Sequence, residues 1–311
     1  MGKATREAYG EALRELGALN KDIIVLDADL SKSTKTNLFA KAFPERFFNV
    51  GIAEQNLMGT AAGLAAAGKI PFVSSFAMFA AGRAFEQVRN SICYPRLNVK
   101  IAATHAGLTV GEDGASHQAI EDISLMRSIP NMTVIVPADA AETRQAIAFA
   151  AEYRGPVYIR LGRMAVPELF GDDYEFQHGK AVELADGKDV TLIASGVMVS
   201  AAREAAEELL AAGISARVLN IHTIKPIDVE AVCKAARDTG AIVTCEEHNI
   251  IGGLGSAVAE VLVEHQPVPM ERVGVQDTFG ESGTPAALLK KYHLTAADIV
   301  EAAKRVVRRK K

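Results

Sequence analysis

The stretch "THAGLTVGEDGASHQAIED" gathers two imidazoles and a carboxylate, His105, His117 and Asp113, among three glycines. Such a set suits general acid–base chemistry or the binding of substrate hydroxyls. It equally suits a glycine-rich turn in which Asp113 and Ser116 cap a helix entered at Ala119. The spacing matches no metal motif.

A second candidate is Glu54, in "FFNVGIAEQN". The acid stands alone in apolar and amide company, where a strand hands over to an Ala/Gly-rich helix that reads as mostly buried. A first-turn acid favoured by the helix dipole is one reading. A carboxylate held in a low-dielectric pocket, able to share a proton with a bound heterocycle, is the other. Phe76 and Phe79, three apart on one predicted helical face, suit either core or a ring-binding wall. "IGGLGSA" (251–257) follows "CEEHN" rather than a strand and reads as a glycine-rich helix start.

Short Val/Ile-rich runs must position these groups. "DIIVLDAD", "PFVSS", "NVKIAAT", "MTVIVPAD" and "PVYIRLG" read as buried strands. Helical patterns lie between them, in "TREAYGEALRELGAL", "SFAMFAAGRAFEQVRNSI" and "DAAETRQAIAFAAEY". The alternation predicts a parallel sheet covered on both faces. A polar, Gly/Asp-rich stretch follows Arg163, and a second, smaller alternation starts at "VTLIASG". The expected organisation is two doubly wound α/β domains, 1–170 and 189–311, joined by a linker at 171–188. In such sheets functional groups collect beyond the carboxyl ends of the strands. "LDADLSKS", "NVGIAEQ", the His/Asp loop and "RLGRM" all occupy such positions.

Composition narrows the function class. A net charge of -4 over 311 residues argues against nucleic acid or anionic membrane as the main partner. Three separated cysteines without metal spacing suit a reducing compartment. The start carries no apolar signal segment, and Lys69 and Pro71 interrupt the most apolar region, so a cytoplasmic protein is expected.

"ATREAYG", "LDADLSKST", "GIAEQN", "FAMFAAGRAFEQVR", the His/Asp loop, "RSIPNMTVIVPAD" and "RLGR" occur here in the order in which they occur in transketolases. "IKPID" and "EEHNIIGGLGS" extend the resemblance through the second domain. It implies a thiamine-diphosphate pyrimidine-binding domain followed by a transketolase C-terminal domain. The family's diphosphate motif, GDG followed by Asn, is missing. The chain therefore resembles the C-terminal half of a split transketolase, a transferase serving pentose-phosphate-type carbohydrate metabolism. The resemblance implies an N-terminal partner subunit that supplies the diphosphate site and ligates magnesium or calcium. It further implies a homodimer of this chain within an α2β2 heterotetramer.

Roles follow by motif. The resemblance implies that Glu54 hydrogen-bonds a ring nitrogen of the aminopyrimidine and so promotes deprotonation of the thiazolium carbon. Phe76 and Phe79 would pack on that ring, with Asp29 near the cofactor. His105, Asp113 and His117 would bind sugar hydroxyls, the two histidines also moving protons. Arg6, Ser33 and Arg163 would anchor a sugar phosphate, a task suited to guanidinium forks and a hydroxyl. The alternatives are a 2-oxoacid dehydrogenase beta subunit, a deoxyxylulose-phosphate synthase-like half, and a non-catalytic assembly subunit.

Overall fold

The computed structural model describes residues 2–171 and 173–310. It has two α/β units, each built on a largely parallel sheet. The larger sheet has seven strands, in the order Thr223–Lys225, Thr133–Ile135, Val157–Arg160, Lys100–Ala103, Ile70–Ser74, Ile23–Asp27 and Phe47–Asn49. All pair in parallel except Thr223–Lys225, which joins antiparallel. The central strands are buried along their whole length, as parallel sheets covered on both faces require.

One face of this sheet packs Tyr9, Leu13, Phe39, Phe72 and Ile147 beneath the helices Thr5–Leu19 and Ala140–Glu152. The other face packs Leu57, Met58, Val88 and Ile92. That core continues without a break into Val232, Leu254 and Val258 of the second unit. The two units therefore share apolar burial rather than meeting across a wet hinge.

The second sheet runs Met270–Val275, Ile242–Asn249, Val190–Ala194, Ala216–Asn220 and Val182–Ala185, the last strand antiparallel. Two features differ from the expected partition. Val182–Ala185 lies within the stretch read as linker, 171–188, yet it closes an edge of the second sheet. Thr223–Lys225 lies in the second unit's sequence yet pairs with Thr133–Ile135 of the first sheet. Both are edge strands recruited by long-range hydrogen bonding, which local periodicity does not report.

Three further readings change. The helix Glu54–Ala66 is not mostly buried: Leu57, Met58, Ala61 and Ala62 face the core, while Gln55, Asn56, Gly59, Thr60 and Gly63 are exposed. "SFAMFAAGRAFEQVRNSI" is not one α-helix but two π-helical stretches, Met78–Arg83 and Val88–Cys93, flanking a short α-turn, Phe85–Gln87. "CEEHN" belongs to the strand Ile242–Asn249, so the helix Leu254–His265 does follow a strand.

The N-terminal segment is tied to the end of the first unit. Lys3–Ala4 pairs antiparallel with Ala165–Val166, and Gly162 N–H donates to Thr5 Oγ1 at 2.7 Å. This stitch brings residue 6 beside residue 163. Helix Thr5–Leu19 also lies against Lys35, where an added Cβ at Gly10 would stand 2.6 Å from Lys35 Cβ and 2.7 Å from its carbonyl oxygen. Gly10→Ala should therefore destabilise the chain by roughly 1–3 kcal/mol, the overlap outweighing the ~1 kcal/mol helix-propensity gain. Denaturant unfolding checks the sign; a stabilised variant would show that the helix and the Lys35 turn are free to separate.

Candidate functional site

Glu54 is the first residue of its helix and only 1% exposed. Its carboxylate has two partners: Ser75 Oγ donates at 3.1 Å, and Arg83 Nη1 donates at 2.7 Å. Ser75 follows the strand Ile70–Ser74, and Arg83 ends the first π-helical stretch. Arg83 also stands 4.5 Å over the Phe79 ring. π-helical turns collect at functional sites because they re-aim side chains. Here one ends on the guanidinium that pairs with Glu54.

Phe76 and Phe79 stack at 6.0 Å between ring centres, close to parallel. Phe76 lies ahead of the helix, at a bridge to Thr104, so the pair does not owe its shared face to α-helical spacing. The His105 ring lies 3.8 Å from Phe76, nearly parallel, and His117 meets the edge of Phe79 at 5.3 Å. Four rings from two chain segments thus form one aromatic cluster, with the Arg83 guanidinium of the Glu54 pair over Phe79.

Behind His105 stands a cationic wall. Arg6 Nη1 lies 3.0 Å from His105 Nε2 and donates to Ser33 O at 3.0 Å. Thr104 Oγ1 lies 2.9 Å from His105 Nδ1. Burial, then the charges of Arg6 and Arg163, with smaller contributions from His117 and Lys35, push His105 down to about 3. The ring is neutral at physiological pH. Burial likewise lowers Arg6, whose Nε is buried without a partner. A guanidinium with an unsatisfied buried N–H, among other cations, is a natural anion site.

The remaining expected residues are spread more widely. Ser33 is half-buried in the short helix Ser31–Thr34, its backbone carbonyl taken by Arg6. Arg163 donates to Val110 O and, at 3.1 Å, to Glu112. Asp29 is exposed, with φ +64°, and exchanges hydrogen bonds with Asn49 rather than reaching the ring cluster. Asp113 is exposed and caps no helix: the next one starts at Asp122, not Ala119. His117 is half-buried, with Ser116 Oγ 2.9 Å from its Nδ1.

Sequence reasoning missed Arg83 and Ser75, although both lie beside or inside a quoted motif. A cation in a small-residue run is the signal that was there to read. It also missed Asp27. This buried carboxylate accepts from Thr34 Oγ1 at 2.7 Å, Thr36 Oγ1 at 2.9 Å and Leu30 N–H at 2.6 Å. It shapes the loop that carries Asp29 and Ser33.

The transketolase pyrimidine-binding domain matches residues 1–168, and the transketolase C-terminal domain matches residues 179–299. This chain belongs to the transketolase family. A "Split gene transketolase, inactive beta4 tetramer" superposes with a TM-score of 0.92 at 62% identity, covering 100% of both chains. A Methanocaldococcus jannaschii protein described as a transketolase C-terminal section is 53% identical over 96% of this chain and 95% of its own. A 6-deoxy-6-sulfo-D-fructose transketolase subunit of Clostridium sp. is 48% identical over 98% and 95% of the two chains. The family resemblance and the α/β fold class read from the motifs are therefore correct.

The state of His105 is measurable. A histidine whose folded pKa lies below its unfolded value favours the neutral form in the fold. Its stabilising contribution is complete above 6.5 and is lost as pH falls toward 3. The His105 ring resonances of the isolated chain should stay flat from about pH 8 to 5. His105→Gln should flatten the fall in unfolding free energy below pH 6.5. A ring titrating near its ordinary value would contradict the cationic, desolvated wall.

Proposed function

We propose that this chain is the C-terminal subunit of a thiamine-diphosphate-dependent transketolase, which moves a two-carbon ketol unit from a ketose phosphate to an aldose phosphate. The observation that carries the reading is the buried Glu54 carboxylate beside the Phe76–Phe79 stack, at the carboxyl ends of parallel strands. These residues fit an aminopyrimidine. Each Glu54 oxygen keeps acceptor capacity beyond its one partner, and the half-buried Phe79 ring offers a surface for stacking. The cofactor, when bound, supplies a stabilised carbanion equivalent.

The chain's own residues do the rest. Glu54 would hold a ring N–H of the aminopyrimidine and keep a proton shared at its own carboxylate. Ser75 and Arg83 keep the carboxylate oriented. Phe76 and Phe79 exclude water from it. The neutral His105 imidazole, whose Nε2 accepts from Arg6 and whose Nδ1 meets Thr104, would serve a sugar hydroxyl by exchanging one of these partners, with His117 across the rings. Asp113 reads sugar stereochemistry from the loop edge. Arg6, Ser33 and Arg163 would receive the phosphate, and Asp29, held by Asn49 outside the ring cluster, is assigned a place near the cofactor by the family resemblance alone.

The diphosphate and its magnesium or calcium ion are assigned to an N-terminal partner subunit, which the resemblance to split-gene chains supports. The exposed face of helix Glu54–Ala66 (Gln55, Asn56, Gly59, Gly63) with exposed Ile52 suits the contact between copies of this chain in an α2β2 assembly. Among the described residues no helix is long and apolar enough to cross a membrane, and a cytoplasmic location fits the separated cysteines. The proposed domain division is 1–170 and 189–311, with Val182–Ala185 of the intervening stretch joined to the second sheet and Thr223–Lys225 lent to the first. The sulfosugar named for one relative makes the sugar's far end the variable part of this proposal.

Three experiments test it. The chain alone should be inactive, and with its diphosphate-binding partner it should transfer ketol units. Glu54→Gln in that assembly should slow proton exchange at the cofactor's reactive carbon by about 10³-fold, the loss of roughly 4 kcal/mol of transition-state stabilisation. Unchanged exchange would return Glu54 to a helix-end role. Arg163→Ala should raise KM for a phosphorylated aldose by roughly 10- to 100-fold, as for a charged hydrogen bond of about 1.5–3 kcal/mol. Turnover of a short unphosphorylated aldehyde should barely change; equal losses on both would reject the phosphate role.

A further inference from the structure

We propose that Glu247 is a positioning residue that clamps the His/Asp loop from the second unit and so sets where Asp113 and His117 meet substrate. Glu247 lies in the strand Ile242–Asn249 and is buried, yet its side chain leaves its own sheet to serve the first unit. Its Oε1 accepts the Thr109 N–H at 2.5 Å, within the short 3₁₀ turn Leu108–Val110. The approach is possible only because residue 107 is glycine: with φ +81°, any Cβ there would overlap the Glu247 carboxylate.

The charge is compensated from the first unit. Arg160 Nη1 stands 4.0 Å from Glu247 Oε2, and Arg160 Nη2 donates to Glu247 O at 2.9 Å and Ala119 O at 3.1 Å. Arg160 is fixed in turn by Asp122, whose two oxygens accept from its Nε at 2.9 and 3.1 Å. The loop's two ends are therefore held by one cross-unit network, Thr109 at the near end and Ala119 at the far end.

A second clamp closes the middle. Buried Gln118 Nε2 donates to Gly111 O at 3.2 Å, Leu108 O at 3.3 Å and Glu281 O at 2.8 Å. Asp113 and His117 sit between these fixed points and make few bonds of their own, so their placement comes from the frame. The adjacent Glu246 faces the other way, accepting Leu254 N–H at 2.7 Å and Gly255 N–H at 2.8 Å to cap its helix. One strand thus uses successive carboxylates for two separate tasks.

The kinetic consequence rests on the transketolase reading; the structural consequence does not. Hydrogen exchange of the isolated chain tests the clamp directly. Glu247→Ala should speed exchange of amides 107–118 by about tenfold or more, with the strands Val190–Ala194 and Ile23–Asp27 still protected. Glu247→Gln retains an oxygen for Thr109 and should restore protection. In the assembly with the diphosphate-binding partner, Glu247→Ala should lower kcat/KM for sugars by about 10- to 100-fold while cofactor affinity stays within about twofold. Unchanged loop exchange in Glu247→Ala would overturn the proposal. So would exchange that rises equally through the second sheet, or a Glu247→Gln variant no better than the alanine. A wild-type assembly without ketol transfer would reject the functional reading, and the exchange result would still decide the clamp.

Discussion

A carboxylate removed from water must be paired or hydrogen-bonded, because an uncompensated buried charge costs several kcal/mol. Glu54 is the point where this chain meets that demand, and much of the first unit is arranged around it. The strand Ile70–Ser74 ends so that Ser75 reaches one oxygen. The following segment then leaves α-helical geometry, and its π-turns end with Arg83 at the other oxygen. The same segment delivers Phe76 and Phe79 as a stacked pair beside the acid. A regular helix from Phe76 onward would put Arg83 on a different bearing, so the irregularity belongs to the site.

Opposite the acid stands a surplus of positive charge. Arg6, Lys35 and Arg163 come from three places in the sequence, and all disfavour a charged His105. Two backbone devices assemble them. The pairing of Lys3–Ala4 with Ala165–Val166 puts residue 6 next to residue 163, and Gly10 lets the first helix rest on Lys35. Arg163 and Lys35 each keep a carboxylate partner, Glu112 and Glu7, but Arg6 has none among the described residues, and its buried, unpartnered Nε suits an anion.

The two units are interlocked by sheet, core and charge at once. Thr223–Lys225 completes the first sheet's edge, Leu254 and Val258 extend its core, and the buried Asp122–Arg160–Glu247 network crosses between them. Burial alone would lower Arg160, but Asp122 and Glu247 hold it above its ordinary range. Burial raises Glu247, with Arg160 pulling the other way. Removing one member of such a set leaves the others desolvated and unpaired, so the units cannot drift apart cheaply. The second unit is a structural wall of the loop that carries Asp113 and His117.

The residues around Glu54 were legible because each sits just past a strand whose Val/Ile run is local and unambiguous, and parallel sheets collect such positions at one rim. The strands, their order of appearance and the motif residues Glu54, Phe76, His105 and His117 were readable from that short-range signal. The tertiary structure alone decided what holds them. Arg83 pairs across 29 residues, Glu247 reaches Thr109 across 138, and Arg6 meets His105 across 99. The edge strands Val182–Ala185 and Thr223–Lys225 likewise depend on partners far along the chain. The exposed side of the Ala/Gly helix, read as buried, shows the same limit. Small residues report that something approaches closely, but their spacing does not say whether it is this chain's core or another surface. Periodicity encodes which face of an element is apolar; which distant side chain satisfies a buried charge is settled only when the elements pack.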